Sequence, residues 1–363
     1  MRSVPSLVLA LALVVTTVGT AQSPRTVIDH VGVVDVEAGS IRFDQRVVLA
    51  GGRIEAVGSA ATEPLPPNAA VVDGRGRFLM PGLWDMHVHL SIPGGEPLLG
   101  FYPLVGVTGV RDMNDSFPQV AAWRERIAGG ALIGPRIVAA GPYLVGVSPP
   151  LPHLLVKTAA DGRAGVDSLR RLGVDFVKVH NEIPREGYFA IAARVKELGW
   201  SFAGHVPRSV TVAEAAAAGQ RSIEHLTGFD TICSSEEQAS FRPTPLITFL
   251  LGGCNAKGST ELIEPLLANH TWITPTLTVL GLFSGAATTP VDSMARYRSE
   301  GLRQLQTVVM RLPPLSEEAQ AAAGLLARKR RALVGELARA GVPILAGSDA
   351  PTPGPFPGVS LLE

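Results

Sequence analysis

The sequence predicts an α/β protein whose parallel strands close into a barrel, preceded by a small β-rich domain. Two observations carry the alternating fold. From Phe78 onward, short apolar segments alternate with Ala-rich helical stretches, the pattern of strands joined by helical crossovers. Eight such segments can be counted, which suggests a closed barrel. A third observation points to a site: histidines, a lysine and an aspartate fall at the C-terminal ends of these segments, where α/β barrels keep their working residues.

The predicted strands are Leu79 to His89, Gly106 to Asp112, Arg136 to Ala140, Phe176 to His180, Ser201 to His205, Ser222 to His225, Trp272 to Thr276 and Pro343 to Asp349. Predicted helices include Val210 to Ala218, led by Ser209 as cap, and Glu317 to Ala340. Residues 22–78 differ in kind. Their apolar runs are short, rich in β-branched residues and broken by Gly51-Gly52 and Pro66-Pro67, so a β-rich domain is expected there and the barrel over 79–363.

The chain has 363 residues, enough for a large core, with 32 basic and 32 acidic side chains. That balance, with no basic stripe carrying interleaved aromatics, argues against a nucleic-acid partner. Residues 1–21 read as a secretory signal: Arg2, an apolar run from Leu7 to about Val18, then Gly19-Thr20-Ala21 as a cleavage pattern. The run is shorter than the roughly 20 residues needed to span a bilayer. A secreted or periplasmic chain, with no stable membrane insertion after signal cleavage, is expected. Cys233 and Cys254 are the only cysteines, and the sequence leaves a disulfide and two unpaired thiols equally open.

The chemistry gathers around His87 and His89. Residues two apart on a strand project to one face, so both imidazoles can reach a single ion from a rigid strand end. Taken alone, such a pair is also compatible with two surface histidines. Lys178 and His180, His205, His225 and Asp349 stand at the ends of the fourth, fifth, sixth and eighth predicted strands, and the barrel would bring them together. A lone lysine on a strand is otherwise an ion-paired or snorkelling residue. Asp349 could serve as a turn residue. His30, His153 and His270 have no such placement and are expected to pack or face solvent.

These segments resemble the metal-dependent amidohydrolase superfamily, near its imidazolonepropionase-like and prolidase-like members, over roughly residues 26–363. The resemblance rests on Pro81-Gly82 leading to Asp85-x-His87-x-His89, and on Gly106-Val107-Thr108-Gly109-Val110-Arg111-Asp112. It rests also on Val177-Lys178-Val179, Gly204-His205, Glu224-His225 and Gly347-Ser348-Asp349. It implies a TIM-type (β/α)8 barrel with a small β-sandwich, and an enzyme that hydrolyses amide bonds in small amides, dipeptides or cyclic amides.

It also implies two divalent ions, zinc being the expected metal. His87, His89 and Asp349 would hold one and His205 and His225 the other, bridged by carboxylated Lys178; His180, two residues beyond Lys178, would face the same mouth and touch substrate. Metal-activated hydroxide would attack the carbonyl, with Asp349 as general base and then general acid. Two other readings stay open: a single-metal cyclic amidase in which Lys178 is structural, and an inactive metal-binding remnant. The last arises because family members continue beyond the stretch matching Gly358 to Glu363, which implies a barrel incomplete at its C-terminus. The sequence leaves homo-oligomerisation open.

Overall fold

The computed structural model describes residues 24–91, 95–149, 151–242, 244, 254–255, 260–281, 297, 300–304, 316–352 and 355–363. The expected signal over 1–21 lies outside them. The chain divides into two compact units, one ending at Pro81 and the other running from Gly82 to Glu363. Among the described residues, no helix is long and apolar enough to cross a membrane.

The first unit is a five-stranded sheet of β1 (Arg25–Asp35), β2 (Ser40–Ala50), β3 (Arg53–Ser59), β4 (Ala70–Asp73) and β5 (Phe78–Leu79). β1 and β2 pair antiparallel, as do β2 and β3, while β4 and β5 run parallel to β1. The β2–β3 hairpin turns on Gly51 and Gly52, both at positive φ as a tight two-residue connection requires. Val27, Val31, Val47 and Val48 are buried, and because Val47 and Val48 are neighbours both faces of β2 are covered there. Arg46 forks onto both carboxylate oxygens of Asp29, at 2.8 and 3.0 Å.

The second unit is α/β, and its strands pair in parallel. One sheet holds β6 (Leu83–Val88), β7 (Val107–Asp112) and β8 (Arg136–Ala139) in that order. The other has the order β10-β9-β11-β12-β13-β16. These strands are β9 (Tyr143–Val145), β10 (His153–Leu155), β11 (Val177–Val179), β12 (Phe202–Gly204), β13 (Ser222–Glu224) and β16 (Trp272–Thr274). A separate short pair, β14 (Thr231–Ile232) and β15 (Cys254–Asn255), stands apart. Cys233 is disulfide-bonded, which selects between the alternatives the sequence left open.

The eighth predicted strand, residues 343–349, is extended rather than part of a regular ladder. It hydrogen-bonds on one side to β16, through Ile273 N to Pro343 O at 3.0 Å and Leu345 N to Ile273 O at 2.8 Å. On the other side Met86 N donates to Ala346 O at 2.9 Å and Asp349 N to His87 O at 2.8 Å. At the end of β8, Ala139 O accepts from Asp175 N, on the lead-in to β11, at 2.9 Å. The barrel expected from the sequence therefore takes the form of two parallel sheets bridged by these bonds.

Helices α1 (Phe117–Ala128), α2 (Ala159–Leu172), α3 (Arg185–Glu197) and α4 (Val212–Ala217) follow strands as crossovers, and α5 (Glu317–Arg339) leads into residues 343–349. The predicted cap of α4 is corrected: Thr211, not Ser209, accepts from Glu214 N and receives the reciprocal carboxylate contact. The Ser209 hydroxyl donates instead to Ile183 O at 2.8 Å. A second difference concerns Tyr143–Val145 and His153–Leu155, which lie outside the predicted strands yet form β9 and β10; Tyr143, Leu144 and Val145 are buried and extend the sheet beside β11.

Candidate metal centre

The predicted site residues gather at the C-terminal ends of the strands. His87 is the penultimate residue of β6 with His89 just beyond the strand; Lys178 lies within β11 with His180 following. His205 comes directly after β12, His225 after β13, and Asp349 lies in the bridging segment. Gly204 makes one of these placements possible. It sits at φ 130, and an added Cβ would lie 2.0 Å from the Val179 carbonyl oxygen, so β12 approaches β11 more closely than a side chain allows.

Three ligating groups converge. Asp349 Oδ1 lies 3.4 Å from His87 Nε2 and 3.2 Å from His89 Nε2. Two ligand atoms at 2.0–2.1 Å from a shared tetrahedral ion are about 3.3 Å apart, so these spacings match those around one cation. Among the described residues this is the group of three acidic, histidine or cysteine side chains whose ligand atoms all lie within 4.8 Å of one another. The His225 ring stands 4.4 Å from that of His87 and 4.9 Å from that of His205, centroid to centroid.

The orientation of the imidazoles fits the same purpose. His87 Nδ1 meets Glu224 Oε2 at 2.8 Å, His205 Nδ1 meets Asn181 Oδ1 at 2.9 Å, and His225 Nδ1 meets Thr276 Oγ1 at 2.6 Å. Each ring is thus held through one nitrogen, leaving Nε2 for the interior. His87 Nε2 and His205 Nε2 are buried and have no hydrogen-bond partner, an arrangement that costs stability unless something else satisfies them. Histidines held this way are what metal ligation requires.

Electrostatics follow from burial. Desolvation pushes His87 and His205 well below the ordinary histidine range and His180 down to about 3, so these rings are neutral and keep a lone pair. Lys178, 1% exposed, is brought down to about 8 by burial, against the opposing attraction of Asp349 and Glu224. Burial by itself would raise the Asp349 carboxyl, but the His89 hydrogen bond and the charges of His225, His89 and Lys178 hold it below its usual value. His180 stacks on Tyr143 at 4.6 Å and lies 4.0 Å from the His205 ring. Asp349 and His225 also sit in the left-handed backbone region, at φ 62 and 58, strain of a kind that concentrates at functional sites.

Several supporting residues were not singled out from the sequence as site residues. Asp85, raised to about 6 by burial, accepts from the Ser348 amide at 2.9 Å and from its hydroxyl, which ties the His87 strand to the Asp349 segment. Asn181 and Thr276 orient their histidines. Arg111, Ser222, Glu224 and Thr274 form a buried polar group beneath His87. One signal could have found them. Strands buried on both faces are expected to be apolar, yet Ser222-x-Glu224 and Thr274-x-Thr276 place polar groups two apart, aimed to one side. The histidines without site placement behave as expected: His30 pairs with Asp44 and His153 with Ser148.

No family model matches the chain. An imidazolonepropionase from Idiomarina loihiensis is 49% identical over 53 residues, which is 15% of this chain and 13% of that protein. Other short matches are to adenine deaminases and a dihydroorotase, and the matched stretches span 8% to 18% of these relatives' lengths. Among solved structures, bottromycin amidohydrolase superposes with a TM-score of 0.69 at 21% identity, covering 93% of this chain and 71% of that one. A Xaa-Pro dipeptidase with methionine bound in its active site gives 0.64 at 17% identity, covering 93% and 81%. The short matches to these enzymes and the fold shared with these solved structures bear out the resemblance read from the sequence.

Proposed function

We propose that this protein is an exported, metal-dependent hydrolase of carbon–nitrogen bonds, acting on small amides of the dipeptide or cyclic-amide kind. The observation that carries the proposal is the convergence of His87 Nε2, His89 Nε2 and Asp349 Oδ1 at ligand spacing. His87, His89 and Asp349 would hold one divalent ion. His205 and His225 would hold a second, with Lys178 as the carboxylated bridge. Bound ions, zinc being the expected metal, would polarise the substrate carbonyl and make a water more acidic.

The remaining steps belong to the chain's own residues. Asp349 accepts the proton of the attacking water and passes it to the leaving nitrogen, since a single carboxylate within reach of both can act as base and then as acid. Lys178, lowered to about 8, has a substantial neutral fraction near neutral pH; a neutral amine is what carbamate formation with carbon dioxide requires. His180, stacked on the Tyr143 ring, would touch substrate. Both substrate classes come from the sequence resemblance, and the dipeptidase neighbour supports the dipeptide class. Export rests on the pattern of residues 1–21, and closure of the sheets into one barrel rests on the bonds of residues 343–350.

A second reading has one ion, with Lys178 purely structural. It is favoured by the presence, among the described residues, of a single three-ligand group drawn from histidine, cysteine and acidic side chains. Under either reading, protein supplied with Zn2+ is expected to hydrolyse Xaa-Pro dipeptides or small cyclic amides, to lose that activity to a chelator and to regain it on readdition. Metal-loaded, folded protein that cleaves none of these substrates contradicts the proposal.

A further inference from the structure

The polar group beneath His87 is a charged clamp whose parts come from four strands. Arg111 on β7 donates through Nε to the Met86 carbonyl at 2.7 Å, through Nη1 to Ser222 Oγ at 2.9 Å, and through Nη2 to Glu224 Oε1 at 2.8 Å and Thr274 Oγ1 at 3.2 Å. Ser222 Oγ in turn donates to Glu224 Oε1. The other carboxylate oxygen, Oε2, faces His87 Nδ1 at 2.8 Å. Glu224 is fully buried and Arg111 nearly so, and such a pair is tolerable only because its hydrogen-bonding capacity is met.

The chemistry of these partners fixes a proton. An ionised carboxylate can only accept, so the nitrogen facing Glu224 Oε2 must be the one that carries hydrogen. With the proton on Nδ1, the lone pair of His87 is on Nε2, the atom 3.4 Å from Asp349 Oδ1. Arg111 grips the backbone carbonyl of Met86 as well, so one guanidinium steadies the chain just before His87 and the carboxylate that orients its ring. The other two oriented histidines have neutral partners, Asn181 and Thr276. A carboxylate partner raises the basicity of a ligating imidazole more than an amide or hydroxyl does.

We propose that Arg111 and Glu224 are positioning residues that preset His87 as an Nε2 ligand, making the ion held by His87, His89 and Asp349 the more tightly bound. This rests on the metal-dependent reading of the site. The test has two parts. In the metal-free chain, long-range ¹H–¹⁵N spectra of the histidine rings should show His87 neutral with its proton on Nδ1. Titration of Zn2+ against a competing chelator should then show about 10- to 100-fold weaker binding of the first ion in E224Q. R111K, which keeps the charge but loses the fork, should fall between E224Q and wild type.

A proton on His87 Nε2 in the wild-type chain overturns the inference. So does an E224Q variant that binds its first Zn2+ within twofold of wild type, the result expected if the ion pair only braces the strands. Should E224Q fail to fold, the wild-type ring spectrum decides by itself. A wild-type chain that binds no Zn2+ would instead overturn the metal reading, and the His87 tautomer would still be read in that same sample.

Discussion

At the residue scale, the site depends on which side chains are kept neutral by burial. Imidazoles desolvated at strand ends keep a lone pair, and the amine of Lys178 is brought to about 8 by the same cause. If Lys178 carries the bridge, Lys178→Ala should reduce bound metal from about two ions per chain to about one and lower turnover roughly 10²-fold or more, as removal of one charge-stabilising group does elsewhere. Elemental analysis and initial rates check this; unchanged metal content would favour the single-ion reading. The principal residues were legible because their chemistry is uncommon: His87-x-His89 on one strand, and Asp349 after a distant apolar run. Arg111 and Glu224 were present in the quoted segments but had no visible role. Their function depends on β7 and β13 facing each other across the interior, which no local pattern encodes.

At the element scale, short strands position the chemistry and the helices that follow them hold the loops. Thr211 caps α4 directly after the loop that bears His205, and Arg185 at the start of α3 reaches both Ser209 O and the Glu214 carboxylate, linking two neighbouring loops. Thr211→Ala should cost about 1 kcal/mol, a fall in Tm of about 2 to 4 °C, with the native metal content retained. Thermal melts followed by circular dichroism check it; no change would mean the box does not secure the helix. Strand existence was legible from apolar runs bounded by turn residues, and the seven paired segments fall within a few residues of the predicted spans. The Ser209 assignment failed because Ser and Thr are both good caps and only the chain's path decides which one faces the first turn. β9 and β10 were missed because three-residue strands carry too little periodicity to stand out from a loop.

At the scale of the whole second unit, the bridging segment does two things with the same residues. Residues 343–350 hydrogen-bond to β16 and to β6, and the same stretch carries Asp349 into the site. An ion held by His87, His89 and Asp349 would therefore cross-link β6 to the segment beside it. Metal removal should lower Tm in a concentration-dependent way, the stabilisation reaching about 2.7 kcal/mol when free metal is 100 times its Kd. Differential scanning calorimetry with graded Zn2+ tests this, and a midpoint indifferent to metal would mean the ligands do not act on the folded state. The parallel α/β character of this unit was legible from the alternation of segments. The irregularity of the eighth strand was not, since Pro343 withholds an amide and the segment's bonds are split between two neighbours.

Six side chains from five segments of the chain, as proposed above, would form a two-metal hydrolytic site. The most direct test is metal content per chain, measured by elemental analysis on folded protein purified without chelators. Close to two divalent ions per chain are expected. Folded protein that retains none, and takes up none when Zn2+ is supplied, would contradict it.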